Sequence, residues 1–146
     1  MNIPGHLAVG ITQHHLLNFP PDDKKLLTVL LVGSLFPDIA DKTIGYILKL
    51  MPGGRHCAHN IFSLLASTLI ITKLVGNLAG YAWFSGYTGH LLVDSDRFMP
   101  WFFPLKAYNF PKGRGISFQA DSMIKETLLL VLAVIIFYVN YARRIK

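Results

Sequence analysis

The chain is poor in charged residues and almost lacks cysteine. Asp, Glu, Lys and Arg make up 15% of its 146 residues, whereas a soluble domain typically has about 25%. Apolar residues reach 52% and the mean hydropathy is +0.42, so we expect much of the surface to avoid water. The single cysteine, Cys57, excludes an intrachain disulfide, and we interpret it as a buried free thiol.

The excess of positive charge does not indicate a nucleic-acid partner. The formal net charge is +6, from 14 Lys and Arg against 8 Asp and Glu, but these cations form no stripe interleaved with aromatic residues. Lys24 and Lys25 precede one apolar run, and Arg143 and Arg144 follow another. Cations at the ends of apolar segments are typical of the bilayer interface. We therefore expect membrane lipids as partners and no nucleic acid.

The longest apolar stretches predict helices rather than strands. Residues 127–142 are uncharged, and we interpret them as a transmembrane helix. Residues 60–94 would form about 52 Å of helix, which is too long for one span, so the sequence predicts two helices joined near Gly76–Asn77. A further apolar run begins at Leu26, and Pro37 predicts a break or kink near Phe36.

Residues 95–120 are rich in proline, glycine and aromatic residues, including Trp101, Phe102 and Phe103. This composition predicts a loop at the headgroup level of a membrane, because aromatic rings favour that region and prolines prevent a spanning helix. The sequence as a whole predicts one domain over residues 1–146. We expect an all-α, small polytopic transmembrane bundle of about four membrane helices, preceded by a short N-terminal helix.

Carboxylates and imidazoles beside apolar segments are the candidates for function, because a bilayer disfavours both. Three pairs are three or four residues apart, which on a helix puts both members on one face. The pairs are Asp38 with Asp41, His56 with His59, and His90 with Asp94. Three such pairs can converge on one pocket inside a helical bundle. Imidazole with carboxylate suits zinc, manganese or iron better than calcium.

Each of these residues also has a plainer interpretation. Asp38 follows a proline and could be a helix N-cap. A His/Asp pair at this spacing is common by chance, and the spacing alone does not place His6. Arg55 is equally well explained as a phosphate-binding residue or as an interfacial cation.

The three pairs lie in the segments GSLFPDIADK, GGRHCAHNIFSL and GHLLVDSDRFMPWFFPLK. Together these segments resemble the YdjM-like membrane-bound metal-dependent hydrolases. The order and spacing of the motifs are similar from about His6 to Phe110, and the resemblance implies an integral protein of the prokaryotic inner membrane. It also implies metal-ligand roles for five residues: His6, Asp38, His59, His90 and Asp94.

The resemblance extends to Asp41, which falls where some members have a second acidic residue, and to Arg55, which matches the arginine before the histidine motif. The chain departs from the common H-R-x-x-T-H-S pattern, because Gly54 replaces the leading histidine. His56 is the candidate that would replace this ligand from a new position. The family is similar in motif logic to zinc-dependent phospholipases C, which implies zinc and a phosphoester substrate, such as a phospholipid headgroup.

Two functions compete on these grounds. In the first, the protein is a metal-dependent hydrolase in which Asp41 or Asp38 accepts a proton from water and Arg55 steadies an anionic substrate. In the second, it is a non-enzymatic membrane protein that uses the same residues for metal binding or transport. The hydrolase is favoured, because a transport path needs polar residues through several helices and the final helix offers only Asn140 and tyrosines.

Overall fold

The computed structural model describes residues 2–20, 22–95, 98–111 and 120–145. These residues form five α-helices and no strand, which confirms the all-α prediction for them. The helices are α1 (Ile3–Leu16), α2 (Lys24–Lys42), α3 (Ile61–Val75), α4 (Asn77–Val93) and α5 (Ala120–Ile145). A π-helical turn, Thr43–Ile47, continues α2 directly.

Local side-chain chemistry sets several helix ends. Asp23 begins α2 by accepting a hydrogen bond from the Leu26 N–H at 3.0 Å, and Asn60 caps α3 through the Ser63 N–H at 2.8 Å. Both satisfy an amide that has no partner within the helix. Gly76 separates α3 from α4 with a φ of 116°, a conformation that glycine adopts most readily. The predicted division near Gly76–Asn77 is therefore confirmed.

Helices α2 and α4 cross very closely, because glycines lie at their contact. A Cβ on Gly33 would lie 2.8 Å from the Trp83 carbonyl oxygen, and one on Gly86 would lie 2.1 Å from the Leu30 carbonyl oxygen. Both approaches are to backbone, which cannot move aside as a side chain can. The close crossing holds the buried faces of α2 and α4 against each other, and these faces carry the candidate site.

Two apolar clusters stabilise this arrangement. One contains Phe19, Leu26, Leu30, Ala79 and Ala82, and the other contains Leu64, Trp83, Tyr87, Leu91 and Met99. Helix α4 contributes to both clusters and packs against α1, α2 and α3. It is therefore the central helix of the described structure.

Of the break or kink predicted near Phe36, the break is wrong, and the kink stays a prediction. Helix α2 runs through Pro37 to Lys42 without interruption. A proline inside a helix removes one backbone hydrogen bond, and here the helix tolerates that loss. Asp38 consequently lies inside α2, so its interpretation as a helix N-cap is also wrong.

Among the described residues, one helical segment is long and apolar enough to cross a membrane, Ser122–Arg143 within α5. Helix α3 is apolar but shorter, with 15 residues. Most described side chains of α5 point outward, including Leu128 and Leu132. The N-terminal helix α1 packs against the face of α5 that does not point outward. The prediction of about four membrane helices is thus supported for one helix only.

The predicted interfacial loop lies partly outside the described residues. Residues 98–111 are described and contain no regular helix or strand. Phe102 and Leu105 are exposed there, whereas Met99 and Pro100 are buried. The described part of the loop is therefore buried at Met99 and Pro100 and exposes apolar side chains a few residues further along.

Candidate metal centre

Five buried side chains meet where α1, α2, α4 and the loop before α3 come together. His6 lies one turn into α1, Asp38 lies in the last turns of α2, and His59 precedes the N-cap of α3. His90 lies in the last turn of α4, and Asp94 follows that helix directly. None of the five is more than 5% exposed. We call them the donor cluster.

Two imidazoles of the donor cluster, those of His59 and His90, face each other through their Nε2 atoms. His59 Nε2 lies 3.2 Å from His90 Nε2. His59 Nδ1 is 2.8 Å from Asp41 Oδ2, and His90 Nδ1 is 2.7 Å from the Ser34 carbonyl oxygen. Since a carboxylate and a carbonyl only accept, each Nδ1 carries a proton. In the neutral rings, both Nε2 atoms then present lone pairs to each other, an arrangement that a shared cation would stabilise.

The carboxylates complete a compact set of ligand atoms. Asp38 Oδ1 lies 3.6 Å from His59 Nε2 and 4.0 Å from His90 Nε2. Asp94 Oδ2 lies 3.9 Å from His90 Nε2. Ligand atoms about 2.0–2.1 Å from a tetrahedral zinc ion are about 3.3 Å apart, so the cluster is only slightly wider than a metal site. Asp38, His59, His90 and Asp94 could therefore hold a metal ion.

His6 tests whether these residues fit a metal. Its Nε2 lies 3.9 Å from Asp38 Oδ2 and 4.0 Å from Asp94 Oδ1. Its ring stacks on that of His90 with centroids 3.9 Å apart. Neither ring nitrogen has a hydrogen-bond partner among the described residues, although the side chain is fully buried. A buried imidazole without a partner is unfavourable, and a cation at the cluster would supply one. The donor set fits a divalent metal.

Asp41 lies behind His59 and organises the loop that carries it. Its Oδ2 accepts hydrogen bonds from the His56 N–H at 2.6 Å and from the His59 N–H at 3.2 Å, and its Oδ1 accepts one from the Ala58 N–H at 2.8 Å. The side chain is fully buried. Asp41 thus fixes both the backbone around His59 and the orientation of its ring, as carboxylates often do for metal-binding histidines.

The interpretation of His56 and His59 as one face of a helix is wrong, because residues 55–60 form an irregular loop before α3. The three amides that bind Asp41 replace the hydrogen bonds of a helix. The His56 ring contacts Asp41, with its Nδ1 3.0 Å from Asp41 Oδ1, and it is not grouped with the residues of the donor cluster. The structure therefore does not bring His56 to the other predicted ligands.

Asp41, His56 and Cys57 form a second group whose ligand atoms lie close together. Burial and the nearby Asp41 charge raise the pKa of the Cys57 thiol, which disfavours the thiolate that binds metals. Cys57 Sγ contacts Met51 Sδ at 3.6 Å. Since Asp41 already accepts three backbone N–H groups, this group is better explained as structural.

Two cations lie at the outer side of the donor cluster. Lys42 Nζ is 2.6 Å from Asp38 Oδ2, and the Arg55 guanidinium contacts Asp94 Oδ2. Their side chains are 36% and 18% exposed, whereas the donors are almost inaccessible. A molecule approaching the cluster along these side chains meets positive charge. Arg55 was predicted to take part, but Lys42 was missed, although its i+4 spacing from Asp38 is a recognisable signal.

An open cleft of about 420 Å³ lies beside this region. It is lined by residues of the π-helical turn and the segment after it, from Gly45 to Gly53. One of its lining residues, Gly53, has its carbonyl oxygen 3.3 Å from His56 Nε2. No residue of the donor cluster lines it.

The fold and the site define a class of protein: a small chain whose described part is helical, with one long apolar helix and a buried His/Asp cluster that could hold a metal. The model of the YdjM inner membrane protein family matches residues 1–145, and the chain belongs to this family. Membership is consistent with the apolar helix α5 and assigns the chain to inner membrane proteins. No curated protein and no solved structure matches the chain.

Proposed function

We propose that this protein is a membrane-bound metal-dependent hydrolase that acts on a phosphoester. The metal would be held by residues of the donor cluster: His6, Asp38, His59, His90 and Asp94. One observation carries the proposal: the Nε2 atoms of His59 and His90 lie 3.2 Å apart, with the buried carboxylates of Asp38 and Asp94 beside them. Zinc suits this mixture of imidazole and carboxylate best, with manganese or iron as alternatives.

A divalent metal supplies Lewis acidity and activates water for attack on a phosphoryl or acyl group. The chain's own residues would orient the ligands and handle the proton. Asp41 is better suited to orienting His59 than to accepting a proton, because its oxygens already accept three backbone N–H groups. Of the two predicted proton acceptors, Asp38 is then the better choice, and in that role it would leave His6, His59, His90 and Asp94 to hold the metal.

The charge around the donor cluster supports an anionic substrate. Lys42 and Arg55 are partly exposed and contact the cluster carboxylates. Arginine binds phosphate through two parallel hydrogen bonds, and lysine binds it as a point charge. Both would stabilise the charge of a phosphoester near the metal. A phospholipid headgroup is the form of this substrate that a membrane supplies.

The arrangement in the membrane is part of the same proposal. Helix α5 would cross the bilayer, and α2, α3 and α4 would lie within it as a single domain with α1. Outward-facing leucines on α3, such as Leu65, Leu69 and Leu74, support this arrangement because apolar side chains of this kind favour lipid. The exposed Phe102 of the loop would lie at the headgroup level.

Metal content and hydrolysis test the proposal together. The detergent-purified protein should contain stoichiometric metal by elemental analysis, and His59→Ala and Asp94→Ala should each lose most of it. The matched control is Asp22→Ala, which removes an exposed carboxylate and should keep the metal. The zinc-loaded or manganese-loaded protein should hydrolyse a phosphoester in a panel of phospholipids and phosphodiesters, and chelator should abolish turnover. A metal-loaded protein with no turnover on the whole panel would contradict the hydrolase.

One observation favours the non-enzymatic alternative, in which the cluster only binds or transports metal. All five donors are at most 5% exposed, and such burial suits a closed site as well as a catalytic one. Liposomes that contain the protein and a metal-sensitive dye distinguish the two. Metal flux without hydrolysis would favour transport, and tightly bound metal without either activity would favour a structural site.

A further inference from the structure

Helix α5 carries a buried carboxylate inside its apolar segment. Glu126 is 6% exposed and lies within Ser122–Arg143, the segment with the composition of a membrane span. Among the described side chains of α5, Glu126 and Ala133 are the buried ones. They lie seven residues apart, on the face that packs against α1. A carboxylate in such a segment is costly unless it has partners.

The partners of Glu126 lie at the beginning of α1. Its Oε2 accepts a hydrogen bond from the Asn2 backbone N–H at 2.8 Å. Its Oε1 lies 3.3 Å from Asn2 Nδ2 and accepts a bond from Ser122 Oγ at 2.9 Å. Asn2 is the N-cap of α1, but its own side chain makes no capping hydrogen bond. Glu126 therefore places a negative charge at the N-terminus of α1, where the helix dipole favours it.

His6 depends on this end of α1 more than the other donors depend on their helices. Asp41 orients His59 and the Ser34 carbonyl orients His90, but neither nitrogen of His6 has a hydrogen-bond partner among the described residues. His6 is linked to the cap by its backbone N–H, which donates to the Asn2 carbonyl oxygen at 3.3 Å. The position of its ring therefore follows from the position of the first turn.

We infer that Glu126 is a positioning residue for the metal centre: it fixes the first turn of α1 so that His6 faces the other donors. The inference rests on the proposed metal site. It assigns α5 a second role besides membrane anchoring, because the helix would also hold His6, for which the described residues provide no orienting partner. Loss of Glu126 would then weaken metal binding through His6 and through no other ligand.

A double-mutant cycle with cobalt tests this coupling on the full chain in detergent. Co²⁺ titrations followed by visible absorption give both the affinity and the ligand-field bands of wild type, Glu126→Ala, His6→Ala and the double variant. We expect Glu126→Ala to weaken Co²⁺ binding about 10-fold, within the range found for residues that orient metal ligands, and to shift the bands toward those of His6→Ala. In the His6→Ala background, Glu126→Ala should have no further effect.

Two further variants separate positioning from general stability. Glu126→Gln keeps an acceptor oxygen for the Asn2 N–H and should restore most of the affinity. Thr127→Ala alters the neighbouring residue, which is exposed and bonds only within α5, and should match wild type. If Glu126→Ala does not fold, the smaller effect of Glu126→Gln should still vanish in the His6→Ala background.

The outcomes distinguish the inference from the proposal beneath it. An unchanged affinity in Glu126→Ala, or an equal loss with and without His6, would overturn the positioning role while leaving the metal site intact. Wild-type protein that binds no Co²⁺ would overturn the metal site itself.

Discussion

Asp41 shows how one buried side chain can determine the conformation of a whole segment. Its two oxygens accept hydrogen bonds from three amides of one loop, those of His56, Ala58 and His59. A carboxylate that accepts several backbone N–H groups replaces the hydrogen bonds that a helix would otherwise supply. The same carboxylate faces the His59 ring at 2.8 Å. Backbone conformation and ligand orientation therefore depend on a single residue.

We expect Asp41→Asn to weaken zinc binding about 10–100-fold, the usual effect of removing a partner of a metal ligand. The amide keeps one acceptor oxygen but turns an NH₂ group toward backbone amides that need acceptors, so thermal stability should fall as well. Zinc affinity can be measured by competition with a chromogenic chelator. Asp22→Asn, an exposed carboxylate, is the matched control, and equal affinities for Asp41→Asn and wild type would contradict the role.

At the same scale, spacing in the sequence predicts which residues are candidates but not what each contacts. The four residues that could hold a metal, Asp38, His59, His90 and Asp94, all belong to the predicted pairs. His56 differs, because its orientation is set by a loop whose hydrogen bonds come from a residue 15 positions away. The spacing of residues in the sequence does not predict that contact. The Ser34 carbonyl that orients His90 is hidden for the same reason.

At the scale of helices, the sequence predicted a helix end correctly where the end depends on the conformation of a single residue. Gly76 ends α3 through its own backbone conformation, and that could be predicted from composition and length. Pro37 was misleading, because a proline disfavours a helix only by a few kcal/mol and packing against a neighbour can offset this. The sequence did not predict which residues the glycines of the α2–α4 crossing contact, because such a contact depends on how two helices pack together.

The crossing gives a prediction for α2 and α4. Gly86→Ala should strongly destabilise the protein and weaken metal binding, because the new Cβ would lie 2.1 Å from the Leu30 carbonyl oxygen and must push α4, with His90, away from Asp38. Gly10→Ala is the control, since its Cβ would meet the flexible ends of Leu31 and Leu30 side chains. Thermal unfolding and Co²⁺ titration of both variants measure the difference. Similar stability for the two would contradict the close packing of these helices.

At the scale of the whole molecule, the donor cluster and the apolar surface are built by different parts of the chain. Helices α1, α2 and α4 and the loop before α3 provide the donors, while α5 exposes most of its described side chains. Hydropathy predicted the apolar segment of α5 because that segment is one continuous apolar run. The other helices carry glycines and polar residues needed for packing and for the site, so hydropathy alone does not determine whether they lie in a membrane.

A charge placed at the centre of α5 can test whether this helix crosses the bilayer. Leu132 is 53% exposed and lies midway along Ser122–Arg143, where arginine costs about 2.5–3.5 kcal/mol on insertion scales. Leu132→Arg should therefore move a reporter fused to the C-terminus to the other side of the membrane in a large fraction of molecules. Leu16→Arg changes an exposed leucine at the end of α1 and should leave the reporter in place. If Leu132→Arg leaves the reporter where it is in wild type, α5 does not cross the bilayer, and its exposed leucines must be covered in another way.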